Sequence, residues 1–146
     1  MMTNSLAKYK YIIITVFVLT FIFTILFMGT SKNLVGNYEV DYIDSKDNMS
    51  IYYNDPQWGG LGVVNPTVFA VGFNDDFIIV KQHPNVDFKI DKGITNYFII
   101  PLNSPITEAP EDNRIGPLTE SAFMKKRKEL DIPSSLNFTL EFEDLK

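Results

Sequence analysis

The feature that most constrains this chain is a run of 19 residues without a charge, "YIIITVFVLTFIFTILFMG", from Tyr11 to Gly29. Lys8 and Lys10 precede it and Lys32 follows. As a helix the run would measure about 28 Å at ~1.5 Å per residue. A hydrocarbon core is about 30 Å thick, so a transmembrane helix over residues 11–29 is expected. Its β-branched residues are no obstacle there, since unmade backbone hydrogen bonds in lipid cost far more than weak helix propensity. The basic flank places residues 1–10 in the cytoplasm as a tail and the rest of the chain outside it. Residues 30–36 serve as a linker and residues 37–146 as an extracytoplasmic domain. A second fate is open: Gly29-Thr30-Ser31 is a small-x-small site at which a secretory leader could be cut, releasing an exported product, although the run is longer than a usual leader core.

From Ser31 onward 116 residues remain, enough for one domain and too few for two. Beyond Tyr11 there are 11 basic and 18 acidic side chains, a net charge of −7. Such a domain repels phosphate backbones, so nucleic-acid partners are disfavoured. With no cysteine in the chain, disulfides, thiolate metal sites and a cysteine nucleophile are excluded.

Strand patterning dominates the domain. "NYEVDYI" alternates Tyr38, Val40 and Tyr42 with Glu39 and Asp41, and "MSIYY" reads as its return strand. "NDPQWGGLGVVNP", Asn54 to Pro66, is rich in glycine and proline and reads as a loop. "TVFAVGF" and "FIIVKQ" are strands joined by "NDD", and "TNYFIIPL" is a further strand closed by proline. "PLTESAFMKKRKELDIP" carries a short helix, with Thr119 as N-cap, Leu118 and Phe123 as a hydrophobic staple, and Pro133 as the stop. Its inner face is expected to hold Phe123, Leu130 and the stem of Arg127. "LNFTLEF" alternates as a closing strand. The fold class expected is α+β: the N-terminal transmembrane helix, then a small, mostly antiparallel β-sheet domain with one α-helix between its last two strands.

Three pieces, "FNDDFIIVKQ", "NYFII" and "GPLTESAFMKKRKELDIP", together resemble a family of small bacterial proteins of unknown function that are exported or lipid-anchored. The resemblance runs from about Val68 to Pro133, and its last segment is the most specific. It implies an extracytoplasmic domain of sheet plus helix and supplies no catalytic residues. The chain departs from the pattern by lacking a lipid-attachment cysteine and by a longer connection, Asn103 to Arg114, before "GPLT".

Few residues suggest chemistry. Asp75 and Asp76 read as turn residues. His83, the only histidine, stands before a proline at the far end of the following strand and reads as an exposed loop residue. A lone histidine with no cysteine builds no metal site, and no nucleophile-elbow pattern is present. No cofactor, metal or catalytic residue is therefore assigned. Trp58, in the glycine-rich loop with Tyr52 and Tyr53 just before it, is the candidate ligand-binding set; the plainer reading tucks Trp58 over the sheet edge. Lys125, Lys126, Arg127 and Lys128 are candidates for contact with a lipid headgroup or another anion, against the plainer reading of a solvated helix face. Three functional classes follow in order. The first is a membrane-anchored, non-catalytic interaction domain with a protein partner in the envelope and the membrane itself as partner through residues 11–29. The second is an envelope-associated ligand-binding module using Trp58. The third is a hydrolase whose carboxylates converge from loops.

Overall fold

Apolar runs such as "FIIV" and "YFII" need cover on both faces, and the fold provides it in three layers. The computed structural model describes residues 9, 11–20, 31–87, 89–103 and 109–146. Two compact units are present, Met1–Thr30 and Ser31–Lys146.

In the first unit residues 11–20 are helical (α1), with Thr15 and Thr20 donating their hydroxyls to the carbonyls of Tyr11 and Val16. Among the described residues no helix is long and apolar enough to cross a membrane. The transmembrane helix expected at 11–29 is corrected accordingly, and single-pass anchoring falls with it as part of the fold and of the function. Residues 21–29 of that expectation lie outside the described residues.

The second unit is mostly antiparallel β. Its first sheet has four strands in chain order: β1 (Lys32–Asn33), β2 (Tyr38–Asp41), β3 (Ser50–Asp55) and β4 (Gly59–Val64). The second has five, in the order β10 (Ile115–Leu118), β9 (Asn96–Pro101), β6 (Phe77–Gln82), β5 (Val68–Phe73) and β11 (Leu140–Glu141). A small pair, β7 (Asn85–Val86) and β8 (Lys89–Ile90), stands apart. Helix α2 (Glu120–Glu129) falls between β10 and β11 in the chain.

The alternation along β6 and β9 divides the core. Ile78, Val80, Phe98 and Ile100 join Val40, Ile51, Tyr53, Val63 and Val64 of the first sheet in one buried cluster between the sheets. Ile79, Tyr97 and Ile99 point the other way and meet Phe123 of α2, Ile132 and Leu136 in a second cluster. This two-sided burial explains why these strands read as continuous apolar runs. Phe123, 2% exposed, stacks on Tyr97 with ring centroids 4.9 Å apart. Thr119 caps α2 by accepting from the Ala122 amide. Arg127 donates to the Pro133 and Leu136 carbonyls at 2.8 and 2.7 Å, tying the chain after the helix back to it.

Two expectations about strands change. The segment read as a loop, Asn54 to Pro66, is a hairpin: β3 turns through Pro56, Gln57 and Trp58 into β4. Glycines suppress strand propensity, yet an edge strand has few neighbours to pack, so they are tolerated there. The closing strand is shorter than its alternation suggests, with only Leu140 and Glu141 paired to Val71 and Ala70.

Candidate functional site

The β3–β4 hairpin is built by its own sequence. Asp55 Oδ1 accepts from the amides of Gln57 and Trp58 at 2.8 and 3.0 Å, Pro56 fixes the turn, and Gly59 takes a φ of +79° as the chain re-enters the sheet. Trp58 is thereby held outward and is 63% exposed, rather than tucked over the sheet edge.

The three candidate aromatic residues do not converge. Tyr52 and Tyr53 are adjacent on β3 and must face opposite sides of the sheet. Tyr52 lies on the outer face, in a shallow groove of about 290 Å³ shared with Ile43, Asp44, Ser50, Gly62 and Val64. Tyr53 is buried toward the other sheet and meets Tyr38 edge-to-face at 5.0 Å. A second groove of about 300 Å³ opens beside that pair, lined also by Asn37, Asp75 and Leu102. Burial, reinforced by the neighbouring Tyr53, pushes the Tyr38 phenol above its ordinary value.

The acidic turn splits its carboxylates between different tasks. Asn74 organises it, its Oδ1 accepting from the amides of Asp76 and Phe77 at 3.0 and 2.8 Å. Asp76 accepts from Asn103 Nδ2 at 3.1 Å, while Asp75 is exposed at the rim of the second groove. Each groove thus holds one carboxylate, Asp44 or Asp75, and neither brings two together. Among the described residues no group of three or more metal-ligating side chains occurs.

Histidine is the largest misplacement. His83 is 4% exposed, its ring stacked on Phe69 at 4.2 Å and its backbone exchanging both hydrogen bonds with Thr67. Nδ1 lies 2.7 Å from the Ile94 carbonyl, which assigns the proton to Nδ1, and Nε2 is buried without a hydrogen-bond partner among the described residues. Gln82 donates to the Pro66 carbonyl and accepts from Asn96, and Thr67 donates to the Asp47 carbonyl. Thr67, Gln82 and His83 therefore join the hairpin's exit loop to the second sheet. Nothing in the local sequence marks this burial except that Gln82 ends the mostly buried strand β6 and His83 follows it.

The helix cations are largely committed within the fold. Arg127 bonds two carbonyls and stands over the Phe123 ring, and Lys126 bonds Glu129 at 2.5 Å, with Lys125 3.9 Å from the same carboxylate. Lys128 is exposed.

A small two-sheet, mostly antiparallel β domain with one covering helix, whose open features are grooves and an exposed hairpin, is the class that fold and surface define. Residues 35–146 match the family described as "Protein of unknown function (DUF3997)", and the chain belongs to that family. The match takes in β2, β3 and β4 of the first sheet, with the Trp58 hairpin, as well as the segment from Val68 to Pro133. No curated protein and no solved structure matches the chain.

Proposed function

We propose that this domain is a ligand-binding module whose working surface is the outer side of the first sheet: the Tyr52 groove, the open β4 strand and the Trp58 hairpin. The exposure of Trp58 carries the reading. A large aromatic side chain held out on a stiff turn offers much contact area to a partner at little entropic cost. The Tyr38–Tyr53 groove supports binding less well, because its rings pack on each other and the Tyr53 hydroxyl already meets Asn37 at 3.4 Å.

The setting proposed is outside the cytoplasm, after removal of an N-terminal leader. Lys8, Lys10, the uncharged run and Gly29-Thr30-Ser31 support it, as does the resemblance to exported or lipid-anchored bacterial proteins. N-terminal sequencing of the product from an expressing bacterium tests the setting. A start at or near Ser31 is expected, and an intact Met1 on all material contradicts it.

Amide shift mapping on the full chain, against mixtures of short peptides and of oligosaccharides, tests the surface. Shifts at Tyr52, Trp58 and residues 59–62 are expected. Shifts confined to Asn37, Tyr53 and Asp75, or none at all, contradict it. Trp58, the only tryptophan, gives an independent fluorescence readout.

A further inference from the structure

We infer that the β4 edge takes up an extended, basic peptide segment as a fifth strand of the first sheet; this rests on the binding reading above and names its partner class. Hydrogen-bond alternation supplies the starting point. The Asn54 amide donates to the Asn37 carbonyl at 2.8 Å, so the backbone of Asn54 faces β2, and that of Tyr52, two residues away, faces the same side. Their partners on β4 are Gly60 and Gly62. Both glycines therefore sit in pairs not bonded to β3, short of the register irregularity that follows between Gly62 and Val64, and turn their N–H and C=O groups outward, where no further strand follows among the described residues.

Both positions that present backbone to this edge are glycines, and both are exposed. A Cβ on Gly62 would meet nothing within 4 Å, and one on Gly60 only Asn54 Oδ1 at 3.6 Å. The absence of side chains there is not imposed by packing, whereas it does let another backbone approach closely. Farther along, the edge is closed: Arg114 Nη1 donates to the Val63 carbonyl, next to the 3-10 turn Pro110–Asn113. The open length is thus Gly59 to Gly62, with Trp58 at one end and the Tyr52 groove on the flank. Added strands bind through main-chain hydrogen bonds and gain specificity from pockets for alternate side chains.

Charge selects the occupant. Glu39 lies beside Tyr52 through the β2–β3 register, and Asp44 lines the groove itself. Of the cations near this sheet, Lys32 lies over the Phe142 ring at 5.8 Å, Lys46 is drawn onto Asp144 at 2.9 Å, and Arg114, beyond the open length, is held between the Val63 carbonyl and the Phe98 ring. A lysine-bearing strand is attracted here, while a second copy of this acidic domain would be repelled.

The test uses the full chain and a blocked ten-residue peptide alternating lysine with valine, beside a glutamate-for-lysine version. Binding of the basic peptide is expected to change Trp58 fluorescence and to slow amide exchange at Gly60 and Gly62, with the acidic peptide bound at least about tenfold more weakly. Gly62→Pro removes one outward N–H without breaking a bond to β3 and is expected to weaken the basic peptide by about tenfold. N-methylation of alternate peptide residues repeats that test without touching the protein: one set of positions abolishes binding and the other spares it. Equal effects from both sets, equal affinity for both peptides, or bound peptide with Gly60 and Gly62 still exchanging freely would overturn strand addition while leaving the binding surface standing. No response to either peptide overturns it too, and the oligosaccharide mixtures then decide whether the surface binds anything. Protection of Gly60 and Gly62 that grows with protein concentration in the absence of peptide would make a second copy the occupant and overturn the inference.

Discussion

The two sheets treat their edges in opposite ways. The second sheet closes both of its flanks: β10 carries Pro117 and an irregular register against β9, and β11 is only two residues long. These are familiar ways of keeping an edge from pairing with another chain. In the first sheet β1 is also two residues long, and β4 is irregular against β3 and has its Val63 carbonyl taken by Arg114, but from Gly59 to Gly62 it carries no proline or charge and its outward backbone belongs to Gly60 and Gly62. The second sheet is also covered on both faces, by the first sheet and by α2, whereas no described strand or α-helix of the same unit lies over the outer face of the first. One sheet holds the fold together and the other presents a surface. The binding surface proposed above rests on that difference, lying on the side where stabilising devices are missing.

That contrast can be broken most forcefully in the scaffold. Phe123→Ala empties the centre of the helix-side cluster and is expected to cost about 3–5 kcal/mol in chemical denaturation, because aromatic deletions leave a cavity as well as losing burial. A cost below 1 kcal/mol would remove α2 from the load on the second sheet. A sharper comparison pairs two glycines. A Cβ on Gly72 would lie 2.1 Å from the Asn137 carbonyl oxygen, and that backbone cannot simply swing aside. Gly72→Ala is therefore expected to destabilise by about 1–3 kcal/mol or more, and Gly62→Ala to change stability by no more than about 0.5–1 kcal/mol in either direction. Equal losses at the two sites would contradict the division between closed and open sheets.

The smallest effect concerns acid. Glu129, Glu141 and Asp144 have carboxyls held below their ordinary values of 4.5, 4.5 and 3.8, chiefly by hydrogen bonds from Lys126, Lys146 and Lys46. A carboxylate with a depressed folded-state pKa contributes stability above its unfolded value and loses it as pH falls through the folded one. Thermal melts should accordingly drop a little as pH is lowered below those ordinary values. All three groups are exposed, so high salt should erase much of the difference. A melting temperature that rises on acidification would reverse the sign of these pairs.

The scaffold was far more legible in the sequence than the surface. Strands buried on both faces leave uncharged runs, so β5, β6 and β9 stood out, and Thr119, Phe123 and Pro133 marked the helix. The division into two sheets did not, because alternation tells which residues face inward but not which layer they face. β4 was hidden by Gly59, Gly60 and Gly62, the same residues that leave its edge open; "DPQWG" was the available turn signal. His83 was misread because a residue before proline at a strand's end usually lies in solvent, and its burial depends on Phe69 and Ile94 from other elements. The charge-free run at 11–29 had the length to span a membrane, yet among the described residues no helix is long and apolar enough to cross one.

Amide hydrogen exchange on the full chain without ligand tests the central claim most directly. Gly60 and Gly62 should exchange as freely as loop amides, Leu61 between them much more slowly through its bonded pairing with Tyr53, and Ile79 and Ile99 of the second sheet slowest of all. Gly60 and Gly62 protected to the level of Leu61 would mean that the edge is already covered, and the open surface assigned here would not exist.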